Sequence, residues 1–243
     1  MKQIPVLLLT GANNHDWKRS APLLKRVLEG TGRFAVTLTE QPSAVLEDAA
    51  GLKAYRLFLL DYNGPDWSPA AQRNFLAAVA GGTGVVAVHA ANNSFPEWKE
   101  YEKMIGLTWR PESGHGEFHD FTVEIDDATH PITRGVAAFQ TPDELYHRLV
   151  RTPGVDLKVL ASAWSEPKRG GTGQREPMLT VTHYGQGRVF YHALGHVWAG
   201  DPAANRGCSM VALESPGFQD TLIRGCEWAA TGEVTAAAKS SKI

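Results

Sequence analysis

Long hydrophobic runs are missing from this sequence. No apolar stretch among its 243 residues approaches the roughly 20 that a membrane-spanning helix needs, so we expect no membrane partner. A charge excess of either sign is missing too, because 24 basic residues stand against 26 acidic ones and the formal net charge is −2. This balance gives no electrostatic reason to expect nucleic acid as a partner.

Cysteine is scarce, and Cys208 and Cys226 are the two in the chain. They form neither a metal-binding pair nor a disulfide framework, which favours a reducing, cytoplasmic location. The short apolar stretch that ends at Leu9 is followed by polar residues without a small-residue cleavage site, so it predicts a first strand and not a signal peptide. Export is expected only if a leader has been removed.

Common cofactor and nucleophile motifs are also absent. The sequence has no GxGxxG after the first predicted strand, no GxxxxGK[ST] phosphate loop and no GxSxG elbow. We therefore predict no nucleotide cofactor and no catalytic serine of the α/β-hydrolase kind.

Predicted strands alternate with helical patterns along the first part of the chain. Residues 6–9, 55–60 and 85–88 are largely apolar runs, as expected of strands buried on both faces. Strand–loop–helix units in series require crossover connections, which predicts an α/β fold with a mainly parallel sheet and helices on both faces. Later in the chain, residues 178–182 and 188–193 predict an antiparallel hairpin.

The chain shows no linker and no internal repeat, so we predict a single domain over residues 1–232. The alanine, lysine and serine residues that follow predict a flexible C-terminal tail over residues 233–243. A homo-oligomer is compatible with this organisation, but the sequence does not require one.

Histidines follow several of the predicted strands. His15 comes after the first strand, His89 directly after the third apolar run and His196 after the last strand. In an open α/β sheet, ligands bind beyond the carboxyl ends of the strands, so we expect these imidazoles to converge around a small carbohydrate. The predicted substrate-binding residues are His15, Trp17, Asn92, Asn93, Tyr146 and Trp198.

Residues 113–120 form a second polar cluster that contains His115, Glu117 and His119. Neutral imidazoles and carboxylates bind divalent cations such as Zn²⁺ or Mn²⁺, although the spacing here matches no dedicated metal motif. A glycine-rich loop with solvated side chains explains the cluster equally well. If one divalent metal is bound, we expect His89, His115 and His196 to be its ligands.

A third cluster, residues 143–147, interleaves acidic and aromatic side chains, including Glu144. Carboxylates accept hydrogen bonds from sugar hydroxyls, while aromatic faces pack on sugar rings. We predict His89, His196 and Glu144 as the catalytic residues. A glycosidase pair made of Glu117 and Glu144 is an alternative that we rank lower, because such a pair needs a separation that sequence cannot fix.

Taken in order, these segments resemble the ThuA-like (trehalose utilisation) family of the class I glutamine amidotransferase-like fold superfamily. The resemblance spans roughly residues 6–230 and rests on TGANNHDW (10–17), GGTGVVAVHA (81–90), HPITRG (130–135), DELY (143–146) and YGQGRVFYHALGH (184–196). It implies a three-layer sandwich with a flavodoxin-like sheet. It also implies a role in carbohydrate metabolism, acting on trehalose-type or keto disaccharides, with a divalent metal.

The amidotransferases of this superfamily carry a cysteine nucleophile at the turn after the central strand, where this sequence has His89. Because thiolate attack needs a thiol at that position, we expect no glutaminase activity. Three hypotheses remain open. The chain is an enzyme that acts on a sugar or keto-sugar, a non-catalytic sugar-binding or regulatory protein, or a metal-dependent hydrolase with an unrelated small substrate.

Overall fold

The computed structural model describes residues 2–199 and 209–235. The predicted tail beyond residue 235 and Cys208 lie outside the described residues. The strands of the main sheet are β1 (Ile4–Leu9), β2 (Phe34–Thr39), β3 (Leu57–Leu60), β4 (Gly84–Val88), β6 (Gly114–Ile125), β7 (Phe139–His147), β9 (Lys158–Trp164), β10 (Arg175–Tyr184) and β11 (Gly187–His192). Two short strands, β5 (Leu107–Thr108) and β8 (Val150–Arg151), pair with each other outside it.

The helices are α1 (Trp17–Glu29), α2 (Pro42–Leu46), α3 (Pro69–Ala80), α4 (Lys99–Ile105), α5 (Val211–Glu214) and α6 (Pro216–Thr231). α1 and α6 contact each other, as do α2 and α3. The crossover from β1 to β2 runs in one direction along the sheet, and the crossover from β3 to β4 runs in the other. Because such crossovers are right-handed, the two helix pairs lie on opposite faces of the sheet. The predicted three-layer α/β fold is confirmed. No helix in the described ranges is long and apolar enough to cross a bilayer.

Half of the main sheet is parallel, with the strand order β2-β1-β3-β4-β11. Its central strands are buried on both faces, which explains their unbroken apolar sequences. α6 packs tightly on this half, because a Cβ atom added at Gly225 would lie 2.1 Å from the ring of Phe190 on β11. Glycine at this position is what lets the helix backbone approach the sheet.

The other half of the sheet is antiparallel and continues as β10-β9-β6-β7. The predicted hairpin is confirmed as β10–β11. Two segments that the sequence suggested as loops are strands instead, since residues 114–120 begin β6 and residues 143–147 end β7. Glycine and charged residues hid the period-two alternation there. It is visible in the structure, where Thr141, Asp143 and Leu145 are all buried.

The long β6–β7 hairpin returns over the carboxyl ends of the parallel strands. Asp143 on β7 is fully buried and accepts hydrogen bonds from the backbone N–H groups of Gly195 (2.7 Å) and His196 (3.2 Å), which follow β11. This contact brings the edge strand of the antiparallel half against the carboxyl edge of the parallel half.

Candidate functional site

His89 occupies a sharp turn directly after β4. Its φ angle of 48° is left-handed, and it starts a short 3-10 helix over His89–Asn93. The imidazole is buried, and its Nδ1–H donates to the carbonyl of Ala193 at 2.7 Å. Because a carbonyl only accepts, the proton is fixed on Nδ1. This leaves the buried Nε2 with a lone pair and no hydrogen-bond partner in the described part of the chain.

His15 lies in the loop after β1 and packs edge-on against two other imidazoles. Its ring centroid is 4.7 Å from that of His89 and 4.6 Å from that of His196. The Nδ1 of His15 lies 3.2 Å from Oδ1 of Asn13, and that oxygen also accepts the backbone N–H of His15 at 3.0 Å.

His196 and Glu144 form the other side of the cluster. Nδ1 of His196 is 3.1 Å from Oε2 of Glu144. Both residues depend on the buried carboxylate of Asp143, which accepts the backbone N–H of Glu144 as well as that of His196. The sequence pattern does not distinguish Asp143 from the rest of the acidic segment over residues 143–147.

One nitrogen or oxygen from each of His15, His89, Glu144 and His196 lies within 4.8 Å of the others. Metal–nitrogen and metal–oxygen bonds near 2.1 Å allow two ligands of one ion to lie at most about 4.2 Å apart. The widest pair would therefore have to close by about 0.6 Å if the two ligands lay opposite each other on the ion, and by about 1.4 Å in a tetrahedral site. Three imidazoles and one carboxylate are a donor set that suits Zn²⁺ and similar divalent cations.

The pKa values in this cluster favour ligand-competent forms. Burial, together with the nearby His196, lowers the pKa of His15 to about 4, and burial also lowers the pKa of His89 well below its usual value. Both rings are therefore neutral near pH 7 and keep a lone pair. Burial acts to raise the pKa of Glu144, but hydrogen bonding and the electrostatic interaction with His196 outweigh it, and the net shift is downward. Glu144 is thus an anion beside two neutral imidazoles.

A cavity of about 410 Å³ opens over this cluster. Aromatic rings border it, because Tyr146 stacks on His89 with centroids 4.2 Å apart, and Trp109 meets Tyr146 edge-on at 4.7 Å. On the other side, the ring of Trp198 lies 5.2 Å from that of His196. Asn93 also lines the cavity, as do Asn14, Ala90, His115, Val197 and Ala199.

The remaining predicted site residues occupy different positions, and their roles stay predictions. His115 borders the cavity outside the group of four, with Nδ1 3.7 Å from Oε2 of Glu144. Trp17 begins α1 and contacts Lys18. Asn92 is fully buried, does not line the cavity, and donates to the carbonyl of Leu107.

Glu117 and Cys226 are not members of this cluster. Glu117, the proposed partner of Glu144 in a glycosidase pair, is paired with Arg169 at 3.2 Å, and its side chain is 65% exposed. Cys226 is buried in α6, where burial raises the pKa of its thiol. A thiol in that environment is a poor nucleophile.

The family model for trehalose utilisation (ThuA) matches residues 5–229. Among solved structures, a ThuA-like protein from Parabacteroides merdae is 33% identical, with 98% of this chain and 94% of that chain covered and a TM-score of 0.85. A ThuA-like protein from Bacteroides uniformis is 18% identical, with 96% of each chain covered and a TM-score of 0.71.

A glutamine amidotransferase from Thermotoga maritima shares the fold at 10% identity, with 95% of this chain and 100% of that chain covered and a TM-score of 0.52. No curated protein matches the chain.

Proposed function

Because this chain belongs to the ThuA (trehalose utilisation) family, we propose that it is a metal-dependent enzyme that acts on a carbohydrate, with ketodisaccharides as the substrate class. Membership of the family connects the chain with carbohydrate metabolism. The observation that carries the proposal is the convergence of His15, His89, His196 and Glu144 within 4.8 Å. Cytoplasmic location stays a prediction.

The four residues fit a divalent cation by their chemistry. His89 presents a buried nitrogen without a hydrogen-bond partner in the described ranges, and its other nitrogen is tied to a carbonyl, which is the usual arrangement of a metal-binding histidine. When bound, a divalent cation would polarise a substrate carbonyl and stabilise negative charge that develops on its oxygen.

A proton acceptor is available beside this centre. Nδ1 of His115 donates to the carbonyl of Gly116 at 2.7 Å, so the lone pair lies on Nε2. The proposed first step is removal of the proton on the carbon next to the substrate carbonyl by this imidazole. The electron pair left behind moves toward the carbonyl oxygen.

The second step breaks the glycosidic bond. The electron pair returns to form a carbon–carbon double bond, and the glycosidic oxygen leaves from the next carbon and takes a proton from the imidazolium or from water. Water then adds across the double bond, so the overall change is hydrolysis of the ketodisaccharide. The aromatic walls formed by Trp109, Tyr146 and Trp198 suit the packing of sugar rings.

The test combines metal content with turnover. Full-length protein is stripped with chelator, titrated with Zn²⁺ or Mn²⁺ by calorimetry, and assayed for release of free sugar from ketodisaccharides. We expect one ion per chain and metal-dependent turnover, both lost in His89→Ala and in the milder Glu144→Gln. His119→Ala is the matched control, because His119 lies on β6 with His115 but outside the group of four, and its Nδ1 donates to the carbonyl of Glu117.

Two outcomes would contradict the proposal. Unchanged metal binding and turnover in a folded His89→Ala protein would remove His89 from the site. Stable sugar binding in calorimetry, with no product formed over hours, would favour instead a sugar-binding protein that has lost its chemistry.

A further inference from the structure

Asn13 bridges His15 to a buried carboxylate. Its side-chain oxygen accepts two hydrogen bonds from His15, one from the backbone N–H and one from Nδ1. Its side-chain nitrogen donates to Oδ1 of Asp61 at 3.1 Å. Contacts at both ends therefore fix the orientation of the amide, since a flipped amide would place its NH₂ group against the N–H of His15 and its oxygen against a carboxylate.

The fixed amide determines which nitrogen of His15 carries the proton. The oxygen of Asn13 is an acceptor only, so Nδ1 of His15 must be the donor and Nε2 keeps the lone pair. This is the same protonation pattern that the Ala193 carbonyl imposes on His89. Two of the three imidazoles in the candidate centre are thus held in one tautomer by groups on their far side.

Asp61, the acceptor at the far end of Asn13, is a buried acidic residue. It follows β3, the residue is 5% exposed, and within residues 2–199 and 209–235 it forms no ion pair with a basic side chain. Its backbone N–H donates to the carbonyl of Leu9, which extends the β1–β3 pairing and aims the carboxylate at the loop after β1. Ser20 of α1 donates to its other oxygen at 2.5 Å.

Burying a carboxylate without a cationic partner costs folding free energy, so a functional role is the natural explanation for its presence. Here it lies one hydrogen-bonded amide away from a histidine of the four-residue cluster. Groups of this kind behind a metal-binding histidine set the orientation of its ring and raise the basicity of its free nitrogen.

We propose that Asn13 and Asp61 are positioning residues that hold His15 with Nε2 as its ligand atom, an inference that rests on the metal centre of the proposed function. Neither residue contacts the substrate in this account. Both act through His15, and Ser20 fixes the far end of the relay.

The first readout needs no metal. In chelator-treated full-length protein with labelled histidine, nitrogen and carbon NMR shifts report which ring nitrogen of His15 carries the proton. We expect the Nδ1–H form in the wild type and a mixture of tautomers in Asn13→Ala and Asp61→Ala. Asn63→Ala is the control, because Asn63 lies two residues after Asp61 but its side chain donates to Asn14 and not to Asn13 or Asp61.

The second readout is affinity for Zn²⁺ measured by calorimetry. We expect a loss of about 10- to 100-fold in Asn13→Ala and in Asp61→Ala, the range usual for removal of such supporting groups, and no change in Asn63→Ala. Exchanging the two residues, as Asn13→Asp together with Asp61→Asn, keeps every hydrogen bond and the net charge. This double variant should recover most of the affinity.

These two readouts distinguish failure of the proposed metal-dependent function from failure of the positioning role of Asn13 and Asp61. If the wild type binds no metal but His15 is held in the Nδ1–H form through Asn13, the proposed function fails and the positioning role of the relay stands. A wild-type His15 protonated on Nε2, or an Asn13→Ala protein with unchanged tautomer and affinity, would overturn the inference. A folded double variant that binds metal no better than Asp61→Ala would overturn it as well.

Discussion

Replacing Asp143 by alanine should destabilise the protein and loosen its candidate centre at the same time. Three backbone N–H groups lose their acceptor, namely those of Glu144 (2.7 Å), Gly195 (2.7 Å) and His196 (3.2 Å). A buried donor left unpaired costs about 1–3 kcal/mol. Water that enters the space left by the carboxylate reduces this penalty, so we take about 1 kcal/mol for each and expect a total near 3 kcal/mol.

The expected change in melting temperature follows from the size of the protein. For a chain of this length, 1 kcal/mol shifts the melting temperature by roughly 2–4 °C, so Asp143→Ala should melt about 6–12 °C below the wild type. Asp143→Asn keeps an acceptor for two of the three donors but turns an NH₂ group toward the third. We expect Asp143→Asn to lose about half as much stability as Asp143→Ala.

The assay is thermal unfolding in chelator, so that metal affinity does not contribute to the difference. Asp120→Ala is the matched control, because Asp120 lies on the neighbouring strand β6 and is exposed. Its effect should stay within about 0.5 kcal/mol. If Asp143→Ala had the same melting temperature as Asp120→Ala, the Asp143 carboxylate would not be holding the loop after β11 against β7. The account of how the two halves of the sheet meet would then be wrong.

Three further results are expected. His115→Ala should reduce turnover of a ketodisaccharide by about 10²- to 10⁴-fold while metal content stays at one ion; loss of the ion would instead make His115 a ligand. Burial raises the pKa of Asp61 from an ordinary 3.8 to about 6, so its stabilising contribution is full below pH 4 and is lost as the pH rises through 6. In chelator, wild-type stability relative to Asp61→Asn should fall by up to about 3 kcal/mol between pH 4 and 7, and a flat difference would refute this. Gly225→Ala should cost about 1–3 kcal/mol in chemical denaturation, because its Cβ would meet Phe190; an unchanged midpoint would contradict the tight packing of α6.

The parallel half of the fold could be predicted because its sequence signals are local. β1 and β4 are apolar on both faces, and each ends where the next polar residues begin, so His15 and His89 could be assigned to the carboxyl edge from their positions alone. The same argument applied to His196 after β11. The structure places these three imidazoles 4.6–5.5 Å apart by ring centroid.

The antiparallel half could not be predicted in the same way. Nothing local in residues 143–147 shows that this edge strand bends back over β11, because the hydrogen bonds that hold it there join residues about 50 positions apart. The position of Glu144 in the cluster depends on that long-range contact. The relay from His15 through Asn13 to Asp61 is equally non-local, since it exists only because β1 and β3 are neighbours.

Anomalous X-ray scattering from crystals soaked in Zn²⁺, recorded on both sides of the zinc absorption edge, tests most directly whether four distant side chains share one ion. We predict a single strong anomalous peak bonded to His15, His89, His196 and Glu144, at about 2.0–2.2 Å from each ligand atom. A peak bound elsewhere, or no peak between these residues in crystals that diffract well, would contradict the account.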